Sequence, residues 1–247
     1  MNKILIPFWR LYVVVVWFIV GTVLTVLTAL ICIVMAFMGC FSAKALAVPP
    51  RLWSRLLCCL GFVRVKVEGL ENLKKGQSYV IASNHQSAFD IWAIYGWLPV
   101  TFSFVMKKEL RKIPFVGLAC ERVGHIFIDR SNPVSAKRSL LDAESKLHDG
   151  HCIVIFPEGT RSRTGKIGKF KRGAFAIASD LNIPVLPVSI SGSFESVDCN
   201  GYSINPSVIT VTIHPAIVPE GNTEQDMRIL AQQTFDVVSS SLPDRYK

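Results

Sequence analysis

Two side chains that could perform acid–base chemistry, His85 and Asp90, lie close together in the stretch SNHQSAFD. An imidazole with an unperturbed pKa near ~6.5 can accept a proton at neutral pH. A nearby carboxylate can fix its tautomer and stabilise the imidazolium that forms. The pair therefore predicts a general base that activates a hydroxyl. No Ser or Cys nucleophile is needed if the substrate carries that hydroxyl itself.

The elements around this pair are arranged so that the two side chains can meet. Residues 79–82 form a short β-prone apolar run, so His85 follows the end of a predicted buried strand. Active sites of α/β proteins collect at such strand ends. If a helix begins near Ser87, Asp90 lies in its first turn and can reach back to the imidazole. A single His–Asp spacing is common by chance, so its interpretation depends on the other motifs.

The stretch FPEGTRS at residues 156–162 is a second candidate for chemistry. An apolar strand there runs directly into a proline and a charged loop that contains glycine. Such a loop can direct backbone N–H groups and the Arg161 guanidinium toward an anion, and Arg is a good bidentate partner for phosphate. Taken alone, the same residues are also typical of a solvated surface turn.

Four segments in this order resemble the ordered motifs of a known enzyme family. They are residues 84–90 (NHQSAFD), 124–130 (GHIFIDR), 156–162 (FPEGTRS) and 183–188 (IPVLPV). Together they are similar to the motifs of the 1-acyl-glycerol-3-phosphate acyltransferases, also called lysophosphatidic acid acyltransferases. The resemblance extends from about Val63 to Ile213.

The resemblance implies transfer of a fatty acyl group from a thioester to lysophosphatidic acid, which gives phosphatidic acid. It implies no metal and no bound cofactor, because acyl-CoA or acyl-carrier protein is the donor substrate. The implied catalytic residues are His85 and Asp90. The implied substrate-binding residues are Glu158, Gly159, Thr160, Arg161, Arg130 and Lys107.

Individual roles follow from the same resemblance. Arg161 is expected on the substrate phosphate, and Glu158 is expected to order either the glycerol or the loop. Arg130 is expected to be a second glycerophosphate contact, although a surface ion pair with Asp129 is the alternative. Lys107 is expected to line the same anionic pocket. Residues 183–188 carry no titratable group and are expected to form a core strand or a wall for the acyl chain.

Two other functions remain open at this point. The same motifs could serve a different acceptor, such as another lysophospholipid or a lyso-ornithine lipid. The chain could also be a membrane lipid-binding protein that has kept the fold without turnover. The complete His85–Asp90 pair and the complete EGTR stretch favour the enzyme.

Composition favours a lipid-associated protein with anionic partners. Half of the 247 residues are hydrophobic, and 27 basic against 18 acidic residues give a net charge of +9. This charge suits anionic membrane lipids or a phosphorylated substrate. Residues 161–172 carry basic but no acidic side chains and could contact headgroups or an acidic acyl carrier. Nucleic acid is not expected, because no such motif is present.

Seven cysteines without a C-x-x-C pair favour a reducing compartment and no zinc site.

The N-terminus predicts a membrane anchor over residues 1–60. Residues 11–43 carry no charge, and as one helix they would reach about 50 Å against a hydrocarbon core of about 30 Å. A tilted single span and a hairpin bent near Gly21 or at residues 39–40 both fit. A secretory signal does not fit, because its apolar part is only about 7–15 residues long. Residues 51–60 are predicted to form an interfacial amphipathic helix.

The remainder, residues 61–247, predicts an α/β acyltransferase domain. Val63–Glu68 alternates strictly between apolar and charged residues, which is typical of a half-exposed strand. Predicted strands then alternate with helices, including one over residues 108–121 and one over 131–149. This alternation predicts a mixed sheet flanked by helices. We expect the protein at a membrane, the inner membrane if the source is bacterial, with this domain facing the cytoplasm.

Overall fold

A seven-stranded mixed sheet forms the centre of the computed structural model, which describes residues 6–40, 42–129, 147, 149–197 and 204–247. In spatial order the strands are β1, β7, β6, β2, β5, β3 and β4. All neighbouring strands run parallel except β6 and β7. The strands are β1 Val63–Glu68, β2 Val80–Ser83, β3 Phe102–Lys107, β4 Ile126–Ile128, β5 Cys152–Ile155, β6 Val185–Ser191 and β7 Ser207–Ile213.

Helices cover both faces of this sheet, which confirms the predicted α/β class. One core cluster joins α2 and α3 to one sheet face, and a second joins α5 and α6 to the other. Among the described residues, the helices longer than one turn are α1 Pro7–Phe37, α2 Val48–Leu60, α3 Phe89–Trp97, α4 Val116–Val123, α5 Ala176–Asp180 and α6 Glu224–Ser240, and a single helical turn Ala43–Leu46 lies between α1 and α2. Short 3-10 turns at Lys108–Lys112 and Arg172–Ala174 precede α4 and α5.

Local sequence signals explain where several elements begin and end. In β1, Val63 and Val65 are buried and the charged residues between and after them are exposed, because side chains of a strand alternate between its faces. The Thr223 side chain caps α6 in a reciprocal arrangement with Asp226. The single helix predicted over residues 108–121 is instead interrupted, because Pro114 cannot continue a helix and Phe115 has φ 60°.

Two sequence predictions concern residues that lie wholly or mostly outside the described residues. Arg130 lies outside the described residues. So do residues 131–146 and 148 of the helix predicted over 131–149.

The parallel strands deliver the motif residues to one edge of the sheet. β2 and β5 are neighbours with Ala82 opposite Ile155, so the residues that follow them emerge side by side. β3 is the next neighbour of β5 and ends at Lys107. Asn84 fixes the loop after β2, because its side-chain amide bonds both the N–H and the C=O of Ile190, each at 2.8 Å.

Helix α1 lacks one of the two predicted hairpin bends, the bend near Gly21. It continues through Gly21, whose φ of −60° and ψ of −40° are helical, so the prediction of a bend at Gly21 is wrong. A Cβ atom at Gly21 would lie 3.3 Å from Leu57 of α2, so the absent side chain allows α2 to approach. The chain leaves the helix at residues 38–39, where Gly39 has φ 80°.

The N-terminal helices share a core with the sheet. Val13 is 1% exposed and belongs to the same cluster as residues of β1 and β7. The Trp17 ring lies 5.5 Å from the Trp92 ring and 6.3 Å from Phe89. The Trp9 indole donates a hydrogen bond of 2.7 Å to the Ile204 carbonyl. The proposed boundary at residue 60 therefore does not separate two independent cores.

Trp17→Ala tests this packing. Removal of the ring leaves a cavity against α3, and large-to-small changes at packed aromatic positions cost about 3–5 kcal/mol when fully buried. Because Trp17 is only partly buried, we expect a loss of about 2–3 kcal/mol in the free energy of unfolding in detergent. Phe8→Ala is the matched control, since Phe8 is 68% exposed. An equal loss in both variants would contradict the shared core.

Candidate active site

His85 and Asp90 are in direct contact at the carboxyl end of β2. The Nδ1 atom of His85 lies 2.8 Å from the Oδ2 atom of Asp90, which is in the first turn of α3. An ionised carboxylate only accepts hydrogen bonds, so the contact places a proton on Nδ1. The Nε2 atom is then the ring nitrogen that can accept a proton. The His85 side chain is 13% exposed and that of Asp90 is fully buried.

The Asp90 carboxylate also organises the backbone of the turn. Its Oδ2 atom accepts hydrogen bonds from the N–H groups of Gln86 at 2.6 Å and Ser87 at 2.8 Å. The Ser87 hydroxyl in turn accepts a hydrogen bond from the Phe89 N–H at 3.1 Å. Oδ1 of Asp90 accepts no hydrogen bond from the described residues. The carboxylate thus holds both the imidazole and the chain that carries it.

An aromatic stack fixes the plane of the imidazole. The His85 ring lies on the Phe156 ring with centroids 4.0 Å apart and an interplanar angle of 16°. Phe156 is itself stacked on Phe104 of β3. The stack follows from the neighbouring positions of β2, β5 and β3. The FPEGTRS motif contained Phe156, but no sequence signal assigned it to the histidine.

Glu158 holds the loops rather than lining the cavity. Its Oε1 atom accepts a hydrogen bond of 2.7 Å from the His85 N–H, and its Oε2 atom accepts one of 2.8 Å from the Gly168 N–H. Burial raises the pKa of the Glu158 carboxyl, and the two N–H groups oppose this rise. Of the two roles expected for Glu158, these contacts favour ordering the loop.

The loop after β5 is tied to the histidine backbone on its other side as well. The Ser162 N–H donates a hydrogen bond of 2.9 Å to the His85 carbonyl. The Gln86 side-chain amide donates to the Gly165 carbonyl. Gly159 takes a φ of 81°, in the left-handed region that glycine adopts without steric cost. The two motifs are therefore one connected backbone unit.

A single cavity of about 1240 Å³ brings most of the predicted site residues together. Its walls are largely apolar and come from α1, α2, α3, β3 and α4. Glu158 is not on its walls. Lys108, the residue after Lys107, forms a surface ion pair with Asp129. The predicted site residues on its walls are His85, Lys107, Gly159, Thr160 and Arg161. Their chemical roles remain predictions.

The other histidines that the structure describes make internal contacts. His125 accepts a hydrogen bond at Nδ1 from the Phe104 N–H at 3.1 Å, so its ring is neutral and its Nε2–H donates to the Tyr95 hydroxyl. His151 and His214 contact the hydroxyls of buried serines. His125 also lines the cavity, which the sequence did not indicate. His148 lies outside the described residues.

Residues 183–188 form core structure rather than a wall of the cavity. Val185, Leu186 and Val188 are fully buried in β6, and none of them lines the cavity. The whole of β2 pairs with β6, with Val80 opposite Val185 and Ser83 opposite Val188. Of the two roles expected for this motif, the core strand is the one observed.

Glu158→Ala tests the bracing role. The change leaves the partly buried N–H groups of His85 and Gly168 without partners, and an unsatisfied donor costs about 1–3 kcal/mol when fully buried. We expect lower thermal stability, a lower kcat and little change in the acceptor KM. Glu220→Ala, at an exposed position, is the control. A large rise in KM with unchanged stability would instead make Glu158 a substrate contact.

Comparison with known proteins gives a consistent picture. A family model described as Acyltransferase matches residues 64–191. The crystal structure of the 1-acyl-sn-glycerophosphate (LPA) acyltransferase from Thermotoga maritima superposes with a TM-score of 0.78 at 30% sequence identity. That match covers 97% of this chain and 95% of the other.

Curated relatives carry the same description. A 1-acyl-sn-glycerol-3-phosphate acyltransferase of Pseudomonas aeruginosa is 35% identical over 183 residues, which cover 74% of this chain and 70% of that protein. One from Chlamydomonas reinhardtii is 32% identical over 184 residues, again 74% of this chain. The chain spans only 54% of that algal protein's length. With an ordered motif set, a matching fold and relatives above 30% identity, the chain belongs to the 1-acyl-sn-glycerol-3-phosphate acyltransferase family of acyltransferase enzymes.

Proposed function

We propose that the protein transfers a fatty acyl group from a thioester to the free hydroxyl of 1-acyl-sn-glycerol 3-phosphate and so forms phosphatidic acid. One observation carries the proposal. His85, which is paired with Asp90, and the cationic side chains Lys107 and Arg161 all border the same large apolar cavity. A base, an anion-binding group and a lipid-sized space are what this reaction requires.

The proton transfer follows from the tautomer that Asp90 imposes. Nε2 of His85 accepts the hydroxyl proton while the oxygen attacks the thioester carbonyl. The tetrahedral intermediate collapses with cleavage of the C–S bond, and the imidazolium returns the proton to the departing thiolate. Asp90 stabilises the imidazolium in between. General-base assistance of this kind contributes roughly 10²–10⁴-fold in rate.

The phosphate is the group that positions the acceptor. Arg161 extends from the loop that bonds the His85 backbone, so a phosphate on its guanidinium lies at a fixed relation to the base. Lys107 ends β3 on the same wall and adds a second positive charge. Such positioning converts a bimolecular encounter into an oriented, effectively unimolecular step.

The apolar part of the cavity suits fatty acyl chains. Its volume of about 1240 Å³ exceeds the roughly 300–1,000 Å³ of ordinary small-molecule sites. Thr25, Ala29 and Cys32 of α1 contribute to its wall, together with Trp53 of α2. The N-terminal helices thus enclose part of the space in which a chain would lie.

The donor is proposed to be acyl-CoA or acyl-carrier protein, both of which are acidic. The basic side chains Arg163, Lys166, Lys169 and Lys171 are at least partly exposed along the loop that starts at Arg161, and they offer a matching surface. The thioester is a substrate, so the proposed reaction uses no metal and no bound cofactor.

A membrane position follows from α1. This helix of 31 residues has a mean hydropathy of 2.7 over its most apolar window. It contacts the domain near both ends, at Trp9 and around Cys32, while Phe8, Val34 and Phe37 are exposed. A perpendicular crossing would pull the polar domain into hydrocarbon, so we propose that α1 lies within one leaflet. We also propose that the α/β domain faces the cytoplasm and that the membrane is the inner membrane if the source is bacterial.

Paired substitutions test the two kinds of site residue. His85→Ala should lower kcat by at least 10²-fold with nearly unchanged lysophosphatidic acid binding. Arg161→Ala should weaken acceptor binding by about 1.5–3 kcal/mol, the range for a hydrogen bond to a charged group, and Arg161→Lys should restore part of it. Lys169→Ala, in the same loop but away from the cavity wall, is the control. Both thioester donors should be offered in each assay.

The outcomes distinguish the proposal from its alternatives. Turnover on lysolipids without a phosphate at wild-type efficiency would indicate a different acceptor. Tight lysophosphatidic acid binding without consumption of either thioester would indicate a lipid-binding protein. Unchanged acceptor binding in Arg161→Ala would remove Arg161 from the phosphate site.

A salt wash tests the membrane position. At 1 M salt the Debye length is about 3 Å, so purely electrostatic attachment is screened. Membranes carrying the full chain should retain it after this wash and release it only into detergent, because α1 is held by apolar contact. Recovery of the protein in the salt supernatant would refute insertion of α1.

A further inference from the structure

A second group of exposed apolar side chains lies outside α1, on a later segment of the chain. It comprises Leu110, Ile113, Phe115 and Leu118, which are between 39% and 52% exposed. We call these four side chains the edge patch. They lie on the 3-10 turn Lys108–Lys112, on the connection after it and on α4. Four large apolar side chains on so short a surface segment are typical of an interaction site.

The backbone of the patch presents its aromatic side chain at a strained position. Phe115 has φ 60° and ψ −49°, and the Val116 N–H donates a 2.6 Å hydrogen bond to the Pro114 carbonyl. This is a γ-turn with positive φ at its central residue, a rare and strained conformation. Gly117 allows the turn to close, because a Cβ atom there would lie 2.1 Å from the Arg111 carbonyl oxygen.

The charges around the patch identify the kind of partner. Residues 107–112 carry four cations and one carboxylate (KKELRK), and all six residues are exposed. Lys108 and Arg111 also form surface ion pairs with Asp129 and Glu121. Apolar side chains framed by Lys and Arg are typical of surfaces that enter the boundary of an anionic membrane. A second copy of this chain fits poorly, because a two-fold contact would bring the patch and its cations against themselves.

The patch is also continuous with the proposed membrane side of α1. α4 packs on α1 through Ala119 against Ala29 and Cys32. The Arg122 guanidinium lies 5.1 Å from the centre of the Phe37 ring, and Phe37 is 70% exposed. On the inner side, Leu110 and Val116 line the cavity. The same short segment is thus a wall of the cavity and part of the outer surface.

We propose that the edge patch is a second membrane contact, which inserts into an anionic leaflet beside α1 and holds this side of the cavity at the lipid boundary. Phe115 and its apolar neighbours enter the acyl region, and the basic side chains of Lys108, Arg111 and Lys112 contact anionic headgroups. The cavity then receives its lysolipid directly from the leaflet. That last step depends on the proposed function, whereas the contact itself does not.

Photolabelling tests the contact without any need for turnover. The full chain is placed in vesicles that contain about one third anionic phospholipid and a phospholipid with a diazirine in its acyl chain, and adducts are located by mass spectrometry. We expect adducts in residues 110–118 as well as in 7–38, and none around Val208 and Val218, which are equally exposed. Adducts confined to 7–38, or crosslinks between two copies at the patch, would overturn the proposal.

Phe115→Gly is the sharpest variant. Glycine tolerates the positive φ, so the fold is retained while the aromatic ring is lost. We expect a several-fold lower adduct yield in 110–118, unchanged yield in 7–38, and a several-fold higher KM for lysophosphatidic acid in vesicles but not in detergent. Val218→Ser, 60% exposed before the change, should change none of these. An unchanged adduct yield in Phe115→Gly would refute insertion of Phe115, and absence of turnover in every variant would refute only the proposed function.

Discussion

The buried carboxylate of Asp90 imposes the main physical constraint on this structure. A carboxylate removed from water is costly unless it is paired and hydrogen-bonded. Three donors therefore converge on its Oδ2 atom, two from the backbone of Gln86 and Ser87 and one from His85. Its place in the first turn of α3 adds the favourable field of the helix N-terminus. The turn, the start of the helix and the imidazole tautomer all follow from satisfying this one charge.

The histidine is held equally firmly through its own backbone. Its N–H donates to Glu158, and its C=O accepts from the Ser162 N–H. The residue before it, Asn84, is bonded twice to Ile190 of β6. A displacement of the loop after β5 would therefore displace the base as well. If His85 is the base and the loop binds the phosphate, as proposed, this rigid coupling is valuable, since small misplacements are costly to catalysis.

The sequence predicted what depends on neighbouring residues and missed what depends on distant ones. The alternation in β1, the start of α3 near Asp90 and the Thr223 cap are local patterns, and each was predictable. The Phe156 ring reaches His85 only because β2 and β5 are paired across many residues. Gly21 suggests a bend when read locally, yet it is helical, and its missing side chain matters for the approach of Leu57, which is distant in sequence. The bracing role of Glu158 likewise requires the position of Gly168, which no spacing rule supplies.

Helix α1 belongs both to the proposed membrane contact and to the wall of the candidate active site. Trp17 of α1 packs on Phe89, the residue that precedes Asp90, while other side chains of α1 line the cavity. The proposed burial of the exposed face of α1 in lipid would therefore favour the same helix position that borders the cavity and supports α3. Removal of that helix would expose the rings of Phe89 and Trp92 together with the cavity wall. For this reason the N-terminal segment is better described as part of the fold that builds the candidate site than as a tether.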